Sequence, residues 1–585
     1  MLDLDHESAG NAEPRRQRRG TETAPSARCG EQVTTTMRQP GSIVLISCYE
    51  LGHQPLGLAS PLGFLERAGF VPAALDIARC EFDERLVGGA KFVGISVPMH
   101  TALRLGVRVA QRVRDINPRC HVCFYGLYAT LNANYLLDTD ADSIVGGEYE
   151  AALVSLVEAL AAGLPWKTVE GIVSRGSTEG NVHSDLIQNH PSSPDLANDV
   201  TAEAERQVET LDNRERPYKL ANHVSDDHQP VLRRLNFTLP SRAGLPRLEH
   251  YARLQRNGQQ RLVGYVEASR GCLHLCLHCP IPSVYGGRFF VVAKEIVRTD
   301  IRNLVRAGAE HITFGDPDFL NGPRHSLDIV RALHQEFPNL TFDFTAKVEH
   351  ILKHAGLMPE LAKSGCVFAV SAVESLSDTV LANLEKGHTR ADVSRALEIL
   401  RSVGIPLRPS LVSFTPWTTL DDYLDVLDFV ETEGLHDQVD PVHYTIRLLV
   451  PPGSGLLSRS AIQPYLTGLD QAKFSYRWAH PDPRIDRLHE VVSALVEQAT
   501  RDNEDTTLTF GRVRELAFGM HENRRPARQS RPLPPDRQRP PRLTEPWFCC
   551  AEPTEDQFVP LNRSPAVQER RKIGDSDDRR HQDQR

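Results

Sequence analysis

Apolar runs of four to six residues alternate with stretches of helical spacing in two long blocks of this chain, and between the blocks the pattern lapses. The first block opens with Ile43-Val-Leu-Ile-Ser47, a continuous apolar run of the kind buried on both faces of a parallel sheet. Leu58 to Ala68 follows with helical spacing and stops at Gly69. Val71–Ile77 and Phe92–Val97 read as strands, and Ala102–Ile116 as an amphipathic helix ended by Asn117-Pro118. His121–Tyr125 and Ser143–Val145 are further strands, and Tyr149–Ala162 a closing helix. Alternation of this kind predicts an α/β fold, here a Rossmann-like doubly wound parallel sheet over 42–175. Such sheets bind ligands at the carboxyl ends of their strands. The loops there are Cys48–His53, Pro98–His100, Gly126–Tyr128 and Gly146–Glu148.

The second block runs from Leu262 to about Val450, with strands expected at His311–Phe314, Thr341–Ala346, Val367–Val370, Pro406–Phe414 and Val442–Leu449. Helices are expected between them, giving about six βα repeats. A closed barrel needs eight, so 241–455 is predicted to be an open, partial (β/α)6 barrel of TIM type. A small helical region follows over 456–520. Residues 176–240 thin out into Ser, Asn, Asp and Pro and read as a largely disordered linker, with one helix expected at Thr201–Glu209. The termini, 1–41 and 521–585, are expected to be disordered; Arg524–Arg542 is rich in Arg and Pro.

Composition narrows the class. A formal charge of −9, from 67 basic and 76 acidic residues, is not that of a chain that coats nucleic acid. Eleven cysteines, an odd number in so long a chain, do not form a secreted disulfide framework and point to a reducing cytoplasm. No apolar run reaches the ~18 residues of a membrane helix. The first 36 residues lack the apolar core of a signal peptide, and Met37 is an alternative start.

The chemistry concentrates in Cys272-Leu-His-Leu-Cys276-Leu-His-Cys279, entered through Glu267-Ala-Ser-Arg-Gly271 just after a strand-like run. A loop leaving a strand end curls three thiolates toward one point and supplies no fourth. A closed 4Fe-4S site usually takes four, so this one leaves one iron open, and an open metal position is where chemistry happens. Zinc is the rival, because His274 and His278 interleave the cysteines; the histidines read more naturally as loop side chains. An iron-sulfur electron carrier without catalysis would keep the same three ligands. Arg408 and Ser410 share a strand face, and Arg408 suits either a bidentate clamp on a carboxylate or a structural ion pair.

The Cys-x-x-x-Cys-x-x-Cys spacing resembles that of the radical S-adenosylmethionine (SAM) enzymes. The resemblance implies that Cys272, Cys276 and Cys279 bind a 4Fe-4S cluster whose fourth iron is chelated by SAM, and that a reductant such as ferredoxin or flavodoxin supplies electrons. It implies Asp316 and the segment Glu374-Ser375 in the SAM vicinity, with Glu374 on the ribose, and offers the SAM carboxylate as the group Arg408 would clamp. The position before the third cysteine, often aromatic in these enzymes, is His278 here. The N-terminal block resembles the cobalamin-binding domain of one large class of them, which brings His53 near a corrin; the Asp-x-His-x-x-Gly signature is absent, and an unused crevice is the alternative. Trp547-Phe-Cys549-Cys550-Ala-Glu-Pro553 resembles the tail of radical SAM proteins named for a Cys-Cys-Ala-Glu-Pro or selenocysteine-containing variant, which makes Cys550 a candidate reactive thiol. The substrate is not legible.

Overall fold

A computed structural model describes residues 36–175, 230, 232–525, 533–534, 536–545, 553, 555–558 and 561. In chain order the N-terminal block contains β1 (Ile43–Ser47), α1 (Leu56–Arg67), β2 (Ala73–Asp76), α2 (Glu84–Gly89), β3 (Phe92–Ser96), α3 (His100–Ile116), β4 (His121–Tyr125), α4 (Leu127–Leu131), α5 (Ala133–Thr139), β5 (Ser143–Val145), α6 (Tyr149–Ala162) and β6 (Ile172–Ser174). The sheet order is β2-β1-β3-β4-β5-β6, parallel except for β6, which runs antiparallel to β5. Every residue of β1 and β3 is buried, as the unbroken apolar runs require when helices cover both faces. Asp83 accepts from the amides of Arg85 and Leu86 and starts α2, and Gly163 in the left-handed region ends α6. The three-residue edge strand β6 carried no strand signal long enough to predict.

The second block begins with a hairpin, β7 (Arg253–Arg256) and β8 (Gln259–Val266), then the short β9 (Ser269–Gly271), α7 (Pro280–Tyr285), β10 (Phe289–Val291) and α8 (Lys294–Arg306). It continues with β11 (His311–Phe314), α9 (Pro323–Glu336), β12 (Thr341–Ala346), α10 (Val348–Lys353), α11 (Met358–Lys363), β13 (Cys366–Glu374), α12 (Asp378–Asn383), α13 (Arg390–Ser402), β14 (Leu407–Leu411) and α14 (Leu420–Glu433). Strands β8, β11, β12, β13 and β14 are parallel neighbours and curl into a half barrel. Capping boxes, Thr389 with Asp392 and Thr419 with Asp422, start α13 and α14. The strand expected at Val442–Leu449 is reduced to one parallel bridge, Phe414 to Arg447. Pro441 opens a single 3-10 turn there, and the segment then runs irregularly.

Two expectations for the C-terminal part need correction. The region read as helical holds a hairpin, β15 (Leu466–Asp470) with β16 (Ser475–Trp478), before α15 (Pro483–Arg501) and α16 (Thr506–Gly519). The described part of the Arg/Pro-rich stretch read as disordered is a strap tied down by ion pairs. Arg524 donates to Asp425 at 2.6 Å and Asp428 at 2.9 Å on α14, and Arg537 bridges Asp437 and Asp505 at 2.6 and 3.1 Å. The strap then forms β17 (Arg542–Leu543), antiparallel to β7. Leu543 packs on Leu254, Val263, Val367 and Phe368. Arginine-rich composition predicts solvation unless acids are waiting, and these acids lie far away in sequence. The helix expected at Thr201–Glu209 lies outside the described residues. Among the described residues no helix is long and apolar enough to cross a membrane.

Candidate active site

Strand alternation divides the half barrel into two faces. Val266, Ile312, Phe314, Phe342, Phe344, Ala369 and Leu407 face the helices and form the main core. The opposite face carries polar groups beside Val263 and Phe368: His311 contacts Thr341 and Asp343 at 2.8 Å each, and Thr313 donates to Asp343 at 2.6 Å. His53, from the loop after β1, reaches this side and stacks on Tyr265 with ring centres 4.4 Å apart and planes 6° from parallel. Burial lowers its imidazole to a pKa of about 4, so it is neutral at neutral pH.

The cysteine loop lies over the carboxyl end of β8. Its entry is fixed by pairing of β9 with β10 and by the amide of Cys272 donating to Arg288 O at 3.1 Å. Gly271, at φ +73, is required there, because a Cβ would lie 2.4 Å from Arg288 O. Farther along, the Leu273 amide donates to Asn321 Oδ1, the Leu277 amide to Leu384 O, and Ser454 Oγ to Leu277 O. The Cys279 amide turns back to Cys276 O at 3.2 Å, and Pro280 starts α7 directly behind it. Cys272 and Cys276 are buried and Cys279 is half-buried. Burial pushes the Cys279 thiol up, with Cys276 and Cys272 close enough to add to the effect, and burial raises Cys272 to about 11. The three thiols therefore belong to one loop and are near enough to influence one another electrostatically. The other described cysteines stand in the N-terminal sheet domain or at the start of β13. The donor set fits an iron-sulfur cluster with one iron left to another ligand.

Both histidines of the loop are tied to carboxylates at strand ends. His274 Nε2 is 3.3 Å from Asp318 Oδ2, which His350 Nδ1 also approaches at 2.9 Å. Burial alone would raise Asp318, but the two histidines outweigh it and hold the carboxyl at about 2. His278 Nε2 is 3.4 Å from Glu374 Oε1, and Lys386 Nζ donates to the same oxygen at 3.1 Å. Lys386 is 2% exposed and Glu374 7%. Burial works against the Glu374 carboxylate, yet Lys386 and His278 keep it well below the ordinary range. Among the described residues no hydrogen bond reaches Glu374 Oε2, and the buried Nδ1 of His278 also lacks a partner. Glu374 also has φ +63, a left-handed conformation for a non-glycine residue at the register shift that ends β13. Such strain persists where the surroundings over-determine it, typically at functional sites. An acceptor oxygen left without a donor suits a ligand hydroxyl group.

The remaining predicted residues separate. Asp316 accepts from the amide of Ala268 at 2.9 Å and from Ser269 Oγ at 2.6 Å, so it braces the loop entry. Burial raises it to about 7 against those hydrogen bonds. Ser375 Oγ accepts from the Ser377 amide and shapes the turn behind Glu374. Arg408 lies at the amino end of β14, away from the cysteine loop, and pairs with Asp440 at 2.8 Å and with the carbonyls of Asp437 and Pro541. Its surroundings are those of the structural ion pair, not of a clamp at the strand's carboxyl end. Cys549 and Cys550 lie outside the described residues.

Sequence reasoning missed the seam between the two blocks. Arg270 Nη1 is 2.6 Å from Glu150 and 3.8 Å from Glu148, and its Nε donates to Glu267 at 2.8 Å. Tyr285 of α7 donates to Glu148 at 2.9 Å. The carboxyl edge of the N-terminal sheet is thereby bonded to both ends of the cysteine loop. His350 went unassigned because its partners Asp318 and His274 lie on other elements, far away in sequence.

Residues 266–430 match the radical SAM superfamily. The ribosomal protein uS12 methylthiotransferase RimO of Citrifermentans bemidjiense is 27% identical over 179 residues, 28% of this chain and 39% of that protein. The hopanoid C-3 methylase of Methylococcus capsulatus is 24% identical over 152 residues, 26% of this chain and 29% of that protein. The chain thus spans well under half the length of these curated relatives. The structure of OxsB, a cobalamin-dependent S-adenosylmethionine radical enzyme, with aqua-cobalamin and S-adenosylmethionine bound, aligns at TM-score 0.56 and 14% identity, covering 78% of this chain and 67% of that one. That likeness is one of fold. Residues 266–430 thus carry a radical SAM domain, and this part of the chain is similar to that of the methylthiotransferases.

Proposed function

We propose that this chain is a cytoplasmic enzyme that cleaves SAM reductively at a 4Fe-4S cluster held by Cys272, Cys276 and Cys279, and uses the product to modify a further substrate. The observation that carries this reading is the three-thiol loop whose His278 meets one oxygen of Glu374, a carboxylate that Lys386 also holds from the same side. Cys272, Cys276 and Cys279 would hold the cluster, which would supply the electron that cleaves the sulfonium of SAM to methionine and a 5′-deoxyadenosyl radical. The chain's residues do the positioning. Glu374 Oε2 accepts from a ribose hydroxyl, a charge-assisted hydrogen bond. Lys386 and His278 hold the other oxygen and fix the carboxylate's direction. Asp316 and Asn321 hold the loop at two amides, and the packed seam around Arg270 keeps water from the loop entry.

Cobalamin is proposed as a second cofactor by place alone. The carboxyl edge of the N-terminal sheet adjoins the cysteine loop, and OxsB contains aqua-cobalamin. Tyr49, Glu50, His53, Tyr128 and Glu148 line this edge and are buried. The chemistry proposed for the chain's own residues needs only SAM and the cluster.

Anaerobic reconstitution with iron and sulfide tests the reading. Addition of SAM and a strong reductant should give 5′-deoxyadenosine with wild type and none with Cys276→Ala. A cluster that forms without cleavage would leave an electron carrier, and a colourless protein with bound zinc would leave a zinc site.

A further inference from the structure

His274, Asp318 and His350 come from three elements: the cysteine loop, the turn after β11 and helix α10. Their side chains are 12%, 0% and 7% exposed. Three donor atoms converge. His274 Nε2 and His350 Nδ1 are 3.3 and 2.9 Å from Asp318 Oδ2, and 3.4 Å from each other.

Hydrogen bonding alone accounts poorly for this arrangement. Asp318 Oδ2 already accepts from the backbone amide of Lys347 at 3.2 Å, and Oδ1 from that of Leu320 at 2.9 Å. If both imidazoles also donate to Oδ2, that oxygen faces three donors with two lone pairs. The two imidazole N–H groups would then point at one place from 3.4 Å apart. A cation removes the conflict, because each imidazole nitrogen then offers a lone pair. Ligand atoms about 2.1 Å from one ion are separated by roughly 3.0 to 3.4 Å in octahedral or tetrahedral geometry, and the three separations here span 2.9 to 3.4 Å.

We propose that His274, Asp318 and His350 form a binding site for one divalent first-row transition ion, separate from the three cysteines and pinning the middle of their loop to the barrel. Two imidazoles and a carboxylate on one side of an ion leave its other positions open. One contact must change on loading. Lys347 Nζ now lies 3.2 Å from His274 Nδ1 and 3.3 Å from Glu349 Oε2. A neutral His274 that ligates through Nε2 carries its proton on Nδ1, so Lys347 turns fully to Glu349. Glu349 Oε2, 3.9 Å from His274 Nδ1, is placed to take that N–H, the usual second partner of a ligating histidine.

The test uses the full chain with Cys272, Cys276, Cys279, Cys549 and Cys550 changed to alanine, so that no cluster or tail thiolate competes. It therefore does not depend on SAM cleavage, and its failure would leave the proposed function standing. Titration with Co2+ should give one bound ion with visible ligand-field bands and no thiolate charge-transfer band. Asp318→Asn and His350→Ala should each weaken binding at least 100-fold, with unchanged circular dichroism. In wild type reconstituted with its cluster, His350→Ala should remove one equivalent of bound Co2+ and leave iron and sulfide unchanged, which covers the case of a five-alanine chain that fails to fold. Absence of a bound ion in both proteins, or binding indifferent to Asp318→Asn and His350→Ala, overturns the site.

Discussion

Glu374→Gln removes the charge against which Lys386 is buried while keeping the side chain's size. The two groups meet at 3.1 Å with 7% and 2% of their residues exposed, so solvent screening offers little relief. Breaking a buried pair by removing one partner costs about 3–5 kcal/mol, because the other charge is left uncompensated. Lys386→Met should cost a similar amount by stranding the Glu374 carboxylate, which His278 alone would then address at 3.4 Å. The double variant has no stranded charge, so its loss should fall short of the sum of the singles by about 2 kcal/mol or more. Native-state hydrogen exchange at the amides of β13 and β14 measures this locally. Protection there should fall by between about two and four orders of magnitude in each single variant. Losses below about 1 kcal/mol, or strict additivity, would refute the pair as the brace of Glu374. The same Glu374→Gln change should weaken SAM binding at least 10-fold, the value of one charge-assisted hydrogen bond.

Further predictions follow from the seam and the strap. Arg270→Met leaves Glu148, Glu150 and Glu267 uncompensated and should lower stability by about 3–5 kcal/mol, read as a fall in thermal midpoint. Glu50 is raised to about 8, by burial first and then by the nearby Glu267. Folded chain thus holds a proton that unfolded chain releases above about 4.5, so this group's contribution to stability is full below pH 4.5 and is lost as pH rises through 8. Glu50→Gln should flatten that slope in melting temperature measured against pH. Arg537→Met cuts the strap from Asp437 and Asp505 and should speed hydrogen exchange and proteolysis at 536–545 without altering exchange in β1 and β3.

The elements legible in the sequence are those whose burial is local and unbroken. Ile43–Ser47 and His121–Tyr125 appear at the predicted bounds because an unbroken apolar run leaves no competing periodicity, and Tyr149–Ala162 because its buried positions recur at helical spacing. Val442–Leu449 misled for the opposite reason: its apolar residues fill the core from an irregular segment that starts at Pro441. The strap could not be read because its order comes from acids on other elements. The three cysteines were legible because their chemistry depends on spacing alone. The meetings of His278 with Glu374 and of His274 with His350 depend on which strand ends become neighbours. Only the folded half barrel decides that.

The central claim is an iron centre with three protein sulfurs and one position for SAM. Electron paramagnetic resonance of the reconstituted, reduced protein tests it most directly, with and without SAM. A 4Fe-4S signal that changes shape when SAM is added, and that is absent in Cys276→Ala, is the predicted result. A signal indifferent to SAM, or one that survives the loss of Cys276, would contradict the account.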